Sequence, residues 1–132
     1  MKQEFIPYEQ ALEIKELGFD EPCLAFYDGK NAESFYFNNT RDASGDYIPF
    51  QKHDRLKWFG APLYQQAFRW FREKYQIIPE IRNWGGTINQ WYYMIHHNDE
   101  LLPWRWIENK SYEEAELECL KKLIEIVKEG TK

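Results

Sequence analysis

The three histidines, His53, His96 and His97, are the first candidates for chemistry in this chain, because an imidazole can hold a metal or move a proton near neutral pH. His96 and His97 are neighbours, and a strand would point them to opposite faces. A metal site would need His53 with Asp54 or Asp99 converging from a distance, which the spacing does not indicate. The two cysteines, Cys23 and Cys119, match no Cys-x-x-Cys or Cys/His ligand pattern. Each sits among apolar residues, the setting of a small buried hydrophobe in a reducing compartment. No Ser/His/Asp or Cys/His signature occurs, and no phosphate-cradling Gly-x-Gly-x-x-Gly or Gly-x-x-x-x-Gly-Lys-Ser/Thr loop. The residues therefore predict no catalytic group, no metal and no cofactor. An enzyme here would have to assemble its site purely through space.

Two other patterns point to binding. The net charge of −5 opposes non-specific attraction to nucleic acid or anionic lipid, but the charge is uneven. Residues 51–75 carry 6 basic and 2 acidic side chains, whereas residues 1–50 carry 4 and 10. Lys52, Arg55, Lys57 and Trp58, with Arg69 and Arg72, bring cations beside an aromatic ring, as a single-strand groove does. A basic loop that neutralises the acidic N-terminal half explains the same run. The second pattern is an aromatic content of 18%, with six Trp, nine Tyr and nine Phe. Arg82, Trp84, Trp91 and Tyr93 fall on one face of an expected hairpin, and these are residue types that dominate protein interfaces. Either the face docks a partner or another copy, or the N-terminal elements cover it as a second core layer.

The elements that position these residues read as follows. Pro7 opens a short helix that Gly18 ends, with Phe19 folding back on Ile14. Cys23–Tyr27 and Ser34–Phe37 form a hairpin around Asp28-Gly29, and Asn38–Asp46 is a turn-rich loop. Pro62 starts a second helix whose apolar arc runs from Leu63 to Tyr75. Ile77–Arg82 and Thr87–His97 form a hairpin through a two-residue turn at Gly85-Gly86, which sets Ile81 opposite Gln90. A short strand follows near Trp104–Ile107. Ser111 and Glu114 make a capping box for the last helix, where Glu118 and Lys122 are spaced to pair. Glu116 falls in the middle of that helix's apolar arc and needs a partner or an escape to solvent.

Three segments carry a resemblance. Phe5-Ile6-Pro7-Tyr8-Glu9-Gln10-Ala11 through Cys23, Leu63 through Tyr75, and Ser111 through Lys128 resemble small uncharacterised proteins encoded by phages and prophages of gut bacteria. The resemblance implies a mobile-element origin and assigns no residue a role. The element order from Ala61 to Glu129 is also that of a double-stranded-RNA-binding domain. Such a domain places lysines at the start of its last helix, where this chain has Glu113, Glu114 and Glu116.

The expected architecture is α+β, one domain over residues 1–132. An antiparallel sheet carries two long helices on one face, with a short N-terminal helix and hairpin. The expected role is a cytoplasmic interaction module for a protein partner or a homo-oligomer. Nucleic acid is the alternative ligand, through residues 52–72, and no membrane is involved, since no apolar leader or span is present.

Overall fold

The computed structural model describes residues 4–29, 31–37, 43–45, 58–86, 88–97, 100–101 and 111–130. Three helices and two antiparallel sheets give an α+β fold in two compact units, 1–63 and 64–132.

The first unit holds α1 (Tyr8–Glu16), β1 (Ala25–Asp28), β2 (Asn31–Phe37) and β3 (Trp58–Ala61). Pro7, extended at ψ 160°, caps α1 rather than entering it. The helix ends as its sequence predicts. Gly18 takes φ 106°, its amide donates to the Lys15 carbonyl, and the Phe19 amide donates to Ile14 at 3.0 Å. That left-handed ending brings buried Phe19 back over buried Ile14.

The sheet order is β2-β1-β3, all antiparallel. Ala25 and Tyr27 share the inner face with Phe59 and Ala61, and all four are buried. Tyr8 meets Tyr27 and Phe59 edge-on at 5.5 and 5.2 Å. The Tyr27 hydroxyl donates to the Ile6 carbonyl at 2.8 Å, so the ring is buried without stranding its polar end. Strand β3 was not expected from the sequence. Its four residues, Trp-Phe-Gly-Ala, include a glycine and sit against Pro62, which reads as a helix start.

The second unit holds α2 (Tyr64–Tyr75), β4 (Ile77–Asn83), β5 (Trp91–His97), β6 (Glu100–Leu101) and α3 (Tyr112–Gly130). The helix, hairpin and final helix come in the expected order, whereas β6 falls at Glu100–Leu101, where no strand was expected, and the sheet runs β4-β5-β6. Both helices contact this sheet and each other. Phe68, Trp70 and Phe71 from α2 are buried, as are Cys119, Leu120, Leu123, Ile124 and Val127 from α3. Each such aliphatic or aromatic side chain contributes about 2 kcal/mol by leaving water. The sheet meets the helices with Ile77, Tyr93 and Ile95.

The single expected sheet is thus two sheets, one in each unit. The expected strand at Trp104–Ile107 and most of the loop from Asn38 to Asp46 lie outside the described residues. The capping box is formed: the Glu114 amide donates to Ser111 Oγ at 3.2 Å, and that hydroxyl donates to Glu114 Oε1 at 3.3 Å. The Glu118–Lys122 pair is replaced by i,i+3 partners. Lys122 reaches Glu125 at 3.2 Å and Lys121 reaches Glu118 at 4.0 Å. Helix α2 ends on Gln76 at φ 57°, whose amide donates to the Arg72 carbonyl at 3.0 Å. This is a left-handed cap without the glycine that would adopt it freely.

Candidate functional site

The β4–β5 hairpin decides which aromatic side chains meet solvent. Gly85 and Gly86 both take positive φ, 68° and 74°, yet they do not close a two-residue turn. The Trp84 amide donates to the Gln90 carbonyl at 2.8 Å, so the connection between them is longer than a two-residue turn. Ile81 therefore pairs with Tyr93, and Glu80 with Met94. The expected register is displaced by an odd number of residues, and an odd shift turns one strand's side chains to the opposite face.

The correction divides the four predicted interface residues. Tyr93 shares the inner face with Ile77, Ile81 and Ile95, and it is only 8% exposed. Arg82 is on the outer face with Ile78 and Glu80, opposite Tyr92 and next to Met94. Trp91 begins β5 on the Tyr93 side. Its ring meets Tyr112 of α3 edge-on at 4.9 Å and 87°, and its indole N–H donates to the Ile88 carbonyl at 3.1 Å. Trp84 stands at the base of the loop, 56% exposed. Arg82, Trp84, Trp91 and Tyr93 do not form one surface. Packing against the helices selects Tyr93 and Ile95 over Tyr92 and Met94, a choice that alternation could not make because both sets are apolar.

The loop itself presents the residue that the sequence reading misplaced. Ile88, inside the expected strand Thr87–His97, is 83% exposed. With Trp84 it forms an apolar tip on a loop closed by two hydrogen bonds. Residues 83–95 contain no charged side chain. The one sequence signal is Asn89, a turn-forming residue soon after Gly85-Gly86.

Among the described residues ten aromatic rings belong to the core. Phe5, Phe19, Phe26, Tyr27, Phe59, Tyr64, Phe68, Trp70, Phe71 and Tyr93 are buried. Among the described residues the exposed rings are Tyr36, Phe37, Trp84 and Tyr112.

Of the basic set, Lys52, Arg55 and Lys57 lie outside the described residues, and Trp58 is placed only as the first residue of β3. Arg69 and Arg72 are exposed on α2. His53 is likewise outside the described residues. Among the described residues no three His, Cys, Asp or Glu side chains are grouped to hold a metal ion.

The titratable groups of α3 are tied to its packing. Glu116 is buried and hydrogen-bonded to the side chain of Tyr112, one turn earlier. Desolvation raises the Tyr112 hydroxyl above its ordinary range, and the charges of Glu116 and Glu113 add to the shift. Burial, with a smaller push from Glu116, raises the Cys119 thiol. Burial pushes the Cys23 thiol up to about 12, helped by the charge of Glu21. Both cysteines are buried, and neither is in a disulfide. On the outer face of the second sheet, Glu80 Oε2 lies 3.2 Å from the Arg82 guanidinium and 3.7 Å from His96 Nε2.

No protein-family model, curated protein or solved structure matches this chain. Among the described residues no helix is long and apolar enough to cross a membrane.

Proposed function

We propose that the chain is a phage-type accessory protein that binds a protein partner through the tip of its β4–β5 hairpin. The observation that carries this reading is the exposure of Trp84 and Ile88 on one loop held by main-chain and indole hydrogen bonds. A loop already held in shape loses little conformational freedom on docking. A tryptophan seated in a partner's apolar pocket is a common anchor of such contacts. The uncharged run of residues 83–95 favours an apolar pocket over a polyanion, which would need local cations. The resemblance of the terminal and central segments to phage and prophage proteins favours a host protein as the partner.

The test compares the native chain with a Trp84→Ser, Ile88→Ser double variant. Both residues are exposed, so the variant keeps its circular dichroism and melting temperature. Immobilised native chain is expected to retain a host protein that the variant releases, with affinity lowered at least about 30-fold, as for the loss of a hot spot of about 2 kcal/mol. Equal retention by both chains, or no retained protein, overturns the reading.

A further inference from the structure

The outer face of the second sheet brings together three polar side chains that sequence spacing does not reveal. Glu80 and Arg82 are two apart on β4, and His96 on β5 pairs with Ile78, one step from Glu80 on the same face. Along the face the order is His96, Glu80, Arg82, with the carboxylate between the two bases. Arg82 and His96 reach the same oxygen, Glu80 Oε2, at 3.2 and 3.7 Å.

This oxygen is covered, but it accepts no aligned hydrogen bond. The three side chains stay between about a third and a half exposed, at 39% for Glu80, 52% for Arg82 and 37% for His96. The exposure of Glu80 therefore lies on its remaining atoms. The guanidinium spends one of its donors toward Glu80 and has others to offer. Tyr92 stands directly across the ladder from Arg82, where an aromatic face can support a nucleobase.

A carboxylate, a guanidinium and an imidazole clustered on one sheet face are groups that can serve one reaction, cleavage of RNA by its own 2′-hydroxyl. We propose that Glu80, Arg82 and His96 cleave single-stranded RNA by transesterification. Glu80 takes the proton from the ribose 2′-hydroxyl as that oxygen attacks the adjacent phosphorus. Arg82 neutralises the negative charge that builds on the equatorial oxygens of the phosphorane. Protonated His96 gives its proton to the 5′-oxygen as the P–O5′ bond breaks. The products are a 2′,3′-cyclic phosphate and a 5′-hydroxyl. One proton enters the protein and one leaves, so no oxidant, reductant or further reactant is needed. The Glu80–His96 contact opens to admit the phosphate, which rotation of the exposed imidazole permits. An unpaired strand is required, because the 2′-oxygen, phosphorus and 5′-oxygen must come into line.

The inference is independent of the protein-binding reading. Its test incubates the purified full chain with a mixed-sequence single-stranded RNA and with the matching DNA. The expected result is RNA fragments ending in 2′,3′-cyclic phosphate with the DNA intact. Glu80→Gln and His96→Gln are each expected to lower the rate about 100-fold or more. Arg82→Lys, which keeps the charge, is expected to lower it less than Arg82→Ala. Circular dichroism verifies that each variant is folded. Intact RNA overturns the proposal, and so does cleavage that proceeds equally in Glu80→Gln and His96→Gln.

Discussion

The sulfur of Cys23 occupies the space in which residue 60 would carry a side chain. A Cβ built on Gly60 would stand 2.6 Å from Cys23 Sγ and 3.3 Å from its Cβ. Cys23 is itself held, since its thiol donates to the Glu21 carbonyl at 3.3 Å. The close approach explains a glycine in the interior of β3, where it would otherwise weaken the strand. Gly60→Ala is expected to cost about 2 kcal/mol through overpacking. Combined with Cys23→Ala, which removes the sulfur, it is expected to cost less than the two single changes together. Urea denaturation of the four proteins measures the coupling, and strict additivity would contradict the contact.

Alkaline pH should weaken the fold through groups in the first unit. The Cys23 thiol rises from 9.0 to about 12 on folding, and the Tyr27 hydroxyl from 10.0 to about 12. The folded state therefore holds protons that the unfolded chain releases first, so stability falls as pH rises. The loss begins near pH 9 with Cys23, is joined by Tyr27 near pH 10, and is complete above about 12. Denaturation midpoints between pH 7 and pH 11 check the sign. The same burial predicts that a thiol reagent at pH 8 labels neither cysteine in the folded chain and both in denaturant.

Gln76 invites a stabilising change. Its φ of 57° is a conformation that L residues other than glycine adopt at a cost. Its side chain is exposed, so little is lost by removing it. Gln76→Gly is expected to raise stability by about 0.5–1 kcal/mol, and a thermal melt reads the gain.

Ser111 accepts the amide of Glu114 at the start of α3. Ser111→Ala leaves that amide without its cap and is expected to cost about 1 kcal/mol. Ser111→Asp, which keeps an acceptor and adds charge at the positive end of the helix dipole, should restore most of it.

The hairpin register can be tested by charge. Ile95 faces the helices and Ile78 faces solvent. Ile95→Asp is expected to unfold the second unit, since an unpaired buried carboxylate costs several kcal/mol. Ile78→Lys should change stability by less than about 0.5 kcal/mol. The two-residue turn would place Ile78 and Ile95 on one face, and comparable effects of the two substitutions would favour it.

Local chemistry was legible in the sequence wherever neighbouring residues decide the outcome. The Gly18 ending of α1, the Ser111 capping box and the amphipathic faces of α2 and α3 each depend on groups within one or two turns. The order of α2, β4, β5 and α3 followed from periodicity and turn residues for the same reason. Long-range pairing was not legible. Strand β3 exists because Phe59 and Ala61 find Tyr27 and Ala25 across the ladder, and a four-residue stretch carries too short a pattern to announce that. The register of β4 and β5 depended on which of two apolar side-chain sets the helices would cover. Covering Tyr93 and Ile95 split the expected aromatic face, left Trp84 and Ile88 at the tip, and set Glu80, Arg82 and His96 side by side. The residue types were written in the chain. Their juxtaposition was a product of burial, which acts between elements distant in sequence.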